Sequence, residues 1–171
     1  MKNTLKILAI LMGVVLLDQI TKGILIYMIT GGVPLFEPAW KLIPVPYMIA
    51  QFTDFFNIVF TWNPGASFSL FRSLGETAPF LIIFITGAII GFISYYLFKK
   101  SEKAEKLPIA LIVGGAIGNL IDRIRFGAVV DFLDFHVGGW HWPAFNIADT
   151  CITIGVGLYI ISWIIIRIKR K

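Results

Sequence analysis

The chain has 171 residues, of which 57% are hydrophobic and only 15% charged, and its mean hydropathy is +0.83. These values exclude an ordinary soluble domain and indicate an integral membrane protein. The formal net charge of +5 reflects membrane topology and attraction to anionic lipid rather than nucleic-acid binding.

A bilayer core needs roughly 20 apolar residues in a helix. Four stretches approach that length, at about Leu5–Ile29, Ala78–Phe98, Leu107–Ile124 and Ile147–Ile168. The first follows Lys2 and Lys6 and so imitates a signal peptide. It runs past Asp18 and Lys22 with no small-x-small site after it, and is expected to be a retained span. Asp18 and Lys22 are spaced i, i+4 with the acid first, the favourable order for a helical ion pair. At about 1.5 Å per residue from Leu5, they lie roughly 20 Å along the helix. A neutralised structural pair and a chemical role both remain open there.

About Thr30–Thr77 follows, aromatic and punctuated by Pro34, Pro38, Pro44, Pro46 and Pro64, which exclude a continuous helix. Phe56–Trp62 is β-branched and aromatic and reads as a strand, and Asn63-Pro64-Gly65 as a turn. The segment is expected to form a small β-platform on the outer membrane surface.

The second and third spans carry G-x-x-x-G spacings, at Gly87 and Gly91 and at Gly114 and Gly118. Such spacings suit close helix packing, though glycine is frequent in membrane helices anyway. The third span ends with Asn119, Asp122 and Arg123 on one face. An amide beside a carboxylate and a guanidinium indicates a hydrogen-bonded network, since buried polar groups in lipid must be satisfied.

About Arg125–Phe145 joins the last two spans and holds Asp131, Asp134, His136, His141, Trp140 and Trp142. The tryptophans suit the interface. The fourth span opens with a polar stripe of Asn146, Asp149, Thr150 and Thr153. Asp149 falls in the first turn, where the helix dipole favours an anion, so a carboxylate serving only the helix terminus is one reading. Cys151 is the one cysteine, which excludes an intrachain disulfide, and reads as a small buried hydrophobe.

Ten of the fifteen basic residues lie before the first span, between the second and third, or after the fourth. The positive-inside rule makes that side cytoplasmic, with both termini inside and Asp131 and Asp149 towards the outer face. A carboxylate at membrane depth costs roughly 2.5–3.5 kcal/mol. Two that meet would share a proton, because close carboxylates do not both ionise cheaply. The ionised member can take a proton from water while the protonated member donates to a carbonyl oxygen. Such a pair needs neither metal nor cofactor. On spacing alone, Asp134 could replace Asp131.

Five segments carry a resemblance: Asp18-Gln19-Ile20-Thr21-Lys22, Trp62 to Ser69 (Trp-Asn-Pro-Gly-Ala-Ser-Phe-Ser), Gly118 to Arg123, Gly127 to Phe132 and Phe145 to Asp149. In this order, on four spans, they resemble bacterial lipoprotein signal peptidase (signal peptidase II, the prolipoprotein signal peptidase). The resemblance implies an aspartic endopeptidase of the bacterial plasma membrane, a four-helix membrane protein with an outer β-cradle. It assigns the catalytic dyad to Asp131 and Asp149. Asn63, Gly65, Asn119, Arg123 and Asn146 then match positions around the site, and Asp18, Lys22 and Asp122 its supporting charges. The implied substrates are prolipoproteins with a diacylglyceryl-modified lipobox cysteine, cut just before that cysteine, and globomycin-like cyclic peptides are the implied inhibitors. A single membrane-embedded peptidase domain over residues 1–171, acting as a monomer, is expected. The first outer segment departs from the family in its length and prolines, which bears on lid and inhibitor fit.

Three other readings of these residues compete. Ser67 or Ser69 with Lys22 as base would need a neutral lysine beside Asp18. A metal site from Asp134, His136 and His141 fits no specific zinc spacing. A small ion-coupled transporter or assembly factor would need polar residues along the full membrane depth, and the inner halves of the second and fourth spans are almost wholly apolar.

Overall fold

A computed structural model describes residues 2–32, 47–65 and 77–170. Pro34, Pro38, Pro44, Pro46, Ser67 and Ser69 lie outside the described residues. Among the described residues, four helices are long and apolar enough to cross a membrane: α1 (Lys2–Thr30), α2 (Ala78–Lys99), α3 (Lys106–Phe126) and α4 (Ile147–Lys169). Four strands accompany them: β1 (Tyr47–Thr53), β2 (Phe56–Asn63), β3 (Val129–Val137) and β4 (Trp140–His141). The chain divides into two compact units. The first comprises Met1–Gln19, Ile85–Gly118 and Ile147–Lys171, and the second Ile20–Phe84 and Asn119–Asn146.

The first unit is helical. Half of the apolar window of α3 is buried, against 6% for α2 and for α4, so α3 is packed by protein while its neighbours present apolar surface to lipid. Glycine makes that packing possible. A Cβ on Gly114 would stand 2.9 Å from the Val14 Cβ, and one on Gly118 would stand 2.6 Å from Asp18 Oδ2. Gly87 and Gly91 differ, since a Cβ at either meets no described atom within 4 Å. The close approach expected at both glycine pairs is thus realised at Gly114 and Gly118. Asp18 is buried here, accepting the Ala148 N–H at 3.0 Å and the Gln19 amide at 3.2 Å.

The second unit carries the sheet, an antiparallel arrangement in the order β1-β2-β3-β4. β1 and β2 come from the expected platform. β3 and β4 come from the segment between α3 and α4, so the sheet draws on both outer segments. β3 escapes a sequence reading because its inner end is buried on both faces, from Val129 to Phe132. Such a strand loses the period-two alternation that marks a half-exposed one. Gly127 ends α3, with φ +76° and its N–H bonded to the Arg123 carbonyl at 3.0 Å, the usual left-handed helix stop. β3 turns into β4 through Gly138 and Gly139, both with positive φ, as a tight two-residue hairpin requires. Aromatic pairs fill the sheet, with Phe56 and Phe135 at 4.8 Å and Trp62 and Phe126 at 5.4 Å between ring centres.

The outer part of the sheet holds a polar cluster. Asp134 is buried, accepts from the Asn57 amide at 3.0 Å and meets His141 Nδ1 at 2.9 Å, while His136 stacks on His141. Burial alone would raise the Asp134 pKa. The hydrogen bonds from His141 and Asn57, with the nearby histidine charge, outweigh it and hold the carboxyl below the usual carboxylate range.

Two predictions follow from this packing. Gly118→Ala is expected to destabilise the protein by about 1–3 kcal/mol through overpacking against Asp18, and Gly87→Ala to stay within about 0.5 kcal/mol. Thermal unfolding of the two variants in detergent checks this. Asp134 has a lowered folded-state pKa, so its contribution is complete above the ordinary aspartate pKa and is lost as pH falls through the lower folded value. The stability gap between the parent and Asp134→Asn should therefore close as pH falls below about 4, as unfolding midpoints measured against pH will test.

Candidate active site

The second unit contains a continuous chain of buried polar contacts. Its base is an ion pair between Lys22 of α1 and Asp122 of α3, at 2.8 Å, with both side chains almost wholly buried. A buried charge needs further hydrogen bonds beyond its partner, and both members have them. Lys22 Nζ donates to Asn119 Oδ1 at 3.1 Å, and Asp122 Oδ2 accepts the Val130 N–H at 3.1 Å. The second contact ties the start of β3 to α3.

Asn119 passes the polarity on. An ammonium only donates, so it fixes Asn119 Oδ1 as an acceptor. The Asn146 amide Nδ2 donates to that same oxygen at 3.1 Å, to the Val130 carbonyl at 3.2 Å and to Asp131 Oδ1 at 2.7 Å. Asn63 Nδ2 donates to the other carboxylate oxygen, Asp131 Oδ2, at 2.8 Å. Asp131 is thus almost fully buried with an amide donor on each oxygen. Register explains the second contact: Thr61 faces Asp131 across the β2–β3 ladder, and Asn63 is two residues on along β2.

Asn63 is held in turn by its own turn. Its Oδ1 accepts the Gly65 N–H at 2.7 Å, an Asx-turn in which side-chain oxygen replaces backbone. Gly65 adopts φ +95°, a conformation that favours glycine. Arg123 lies alongside, 3.5 Å from where a Gly65 Cβ would stand, and its Nη1 donates back to the Asn119 carbonyl at 3.4 Å.

The expected site residues therefore fall into place as follows. Asn63, Gly65, Asn119, Arg123, Asn146, Asp122, Lys22 and Asp131 are brought together in the second unit. Asp18 and Asp149 belong to the first unit, where Asp149 lies in the opening turn of α4, directly after the Ala148 whose N–H Asp18 accepts. Lys22 bonds to Asp122 across two helices, a partner that spacing along α1 does not reveal. Asp134, the rival to Asp131, is engaged with Asn57 and His141. Sequence reasoning missed Asn57, whose signal is a bare amide near the start of an apolar strand. Cys151 is half-buried on α4.

The described geometry offers a carboxylate clamped by two amides, with a buried cation linked to it through Asn119 and Asn146. Comparison with known proteins agrees with the architecture. The family model of signal peptidase (SPase) II matches residues 10–165. The lipoprotein signal peptidase of Anaplasma phagocytophilum is 37% identical over 162 residues, covering 94% of this chain and 92% of that protein. The lipoprotein signal peptidase of Janthinobacterium is 53% identical over 112 residues, covering 63% of this chain and 66% of that protein. A bacterial membrane enzyme solved by the in meso method at 2.3 Å resolution superposes with a TM-score of 0.73 at 29% identity, covering 97% of this chain and 92% of that one. With four membrane-length helices, an antiparallel four-stranded sheet and a family match from residue 10 to residue 165, this chain is a multi-pass membrane protease of the signal peptidase II family.

Proposed function

We propose that the protein removes signal peptides from diacylglyceryl-modified prolipoproteins, using Asp131 and Asp149 as an acid–base dyad. The observation that carries this reading is the clamp on Asp131: two amides, Asn63 and Asn146, occupy its two oxygens. Such a clamp holds the carboxylate in one orientation, as directed proton transfer requires. Asp149 follows Asn146 by three residues, so the amide that orients one aspartate also begins the helix that carries the other.

The chemistry is water attack on the peptide carbonyl before the lipidated cysteine. One ionised carboxylate accepts a proton from the attacking water, and the protonated partner gives its proton to the carbonyl oxygen, forming a neutral tetrahedral diol. Collapse breaks the C–N bond. The proton taken from water passes to the leaving amine, and the diol returns its proton to the dyad. The dyad titrates as a unit, so the acid and base roles belong to the pair.

The rest of the reading extends this site. Asp18, Lys22 and Asp122 support it electrostatically, while Gly65 and Arg123 border it. The enzyme acts as a monomeric membrane-embedded peptidase domain in the bacterial inner membrane, with both termini cytoplasmic and the dyad towards the outer leaflet. Membrane lipid and globomycin-like peptides complete its partners. The distribution of basic residues supports the orientation.

Cleavage of a lipidated prolipoprotein by the purified protein tests the proposal. Asp131→Asn and Asp149→Asn, made singly, should each lower kcat by at least about 10²–10⁴, the usual reach of general acid–base catalysis, with normal protein levels. Full processing by either variant would sink the dyad, and ion flux without cleavage would favour a transporter. Asn63→Ala should remove that donor from Asp131 Oδ2. We expect kcat to fall about tenfold, as for loss of an interaction worth about 1.4 kcal/mol in the transition state, with KM nearly unchanged in steady-state assays.

A further inference from the structure

One end of the first unit takes no part in the chemistry above. A cavity of about 430 Å³ lies there, lined by the end of α2, the link that follows it and the last turns of α4. Its volume falls within the range of small-molecule sites, about 300–1,000 Å³.

The acids of this cavity are already engaged. Glu102 pairs with Arg170. Glu105 is buried, accepting the Glu102 N–H at 2.7 Å and the Tyr96 hydroxyl at 3.3 Å. Two cations are not engaged in this way. Among the described residues, neither Lys100 nor Arg167 has an acidic partner. The Arg167 guanidinium carbon lies over the Trp163 ring, 4.9 Å from its centre. This cation–π contact uses none of the guanidinium's five N–H donors as a partner to an acid and leaves them for an anion.

Helix dipoles account for cations near the ends of α2 and α4. They do not account for a cavity between the cations, or for what adjoins it. Tyr95 and Phe98 on α2, and Ile164 and Ile168 on α4, are exposed apolar side chains within a turn of the cavity residues. A ligand with an anionic head and apolar tails satisfies both surfaces at once. Basic pockets between membrane helices bind lipid headgroups on this principle.

We propose that this cavity binds the headgroup phosphate of an anionic phospholipid, with Lys100 and Arg167 as its donors and the acyl chains along α2 and α4. Because Glu102 and Glu105 are committed within the protein, no acid is left for the amine of a zwitterionic headgroup, and net anionic lipids are selected.

Native mass spectrometry of the full chain in detergent tests this, with phosphatidylglycerol, phosphatidylcholine and inorganic phosphate as probes. Phosphatidylglycerol should bind more tightly than phosphatidylcholine, and equimolar inorganic phosphate should not displace it. The double variant Lys100→Gln, Arg167→Gln should weaken phosphatidylglycerol binding roughly 25-fold, about fivefold for each charge. Lys103→Gln, which removes a neighbouring charge outside the cavity, should leave it unchanged. Equal binding of the two lipids, an unaffected double variant, an equal loss in Lys103→Gln, or displacement by inorganic phosphate would each overturn the proposal. Lys100 and Arg167 are exposed, so their replacement leaves the fold intact. Brominated phosphatidylglycerol supplies an independent readout. It should quench the fluorescence component that Trp163→Phe removes, and failure to quench that component would also overturn the assignment.

Discussion

The buried pair of Lys22 and Asp122 is the constraint on which the polar interior depends. Two charges removed from water are costly unless each has its partner and further hydrogen bonds. Here that requirement is met by extending outward. The ammonium fixes the direction of Asn119, which fixes Asn146, and Asn146 reaches Asp131. The carboxylate holds the Val130 N–H and so the first residues of β3. Loss of either charge would remove the other's ion-pair partner and disturb the amide chain that orients Asp131.

The two kinds of structure were unequally legible in the sequence. The four helices follow from apolar length alone, and their expected bounds fall within a few residues of those observed. β2 was readable from its aromatic and β-branched content and from the Asn63-Pro64-Gly65 turn after it. β3 was not, because a strand covered on both faces loses its alternation. The polar residues at the site were visible as anomalies in an apolar chain, but their partners were not. Lys22 bonds to Asp122 and Asp18 accepts the Ala148 N–H, partners far from either in sequence. Such pairings depend on which helices approach, and only the glycines at 114 and 118 hinted at that.

Packing and chemistry meet at α3. Its glycines allow α1 to approach closely in the first unit, and the residues that follow, Asn119 and Asp122, receive Lys22 in the second. Larger residues at 114 or 118 would meet Val14 and Asp18 within the first unit. The windows of α2 and α4 stay largely exposed, while half of the α3 window is buried.

Asn63 uses both ends of its amide: the oxygen closes a turn on Gly65 and the nitrogen holds Asp131. Hydrolysis of that amide would convert the residue to aspartate, and place a second carboxylate against Asp131 where a donor is needed. Spontaneous deamidation of asparagine runs through a cyclic imide, formed by attack of the following residue's backbone nitrogen after it loses its hydrogen. The residue that follows here is Pro64, whose nitrogen carries none. The proline that shapes the turn therefore also closes the main route by which this side chain would age.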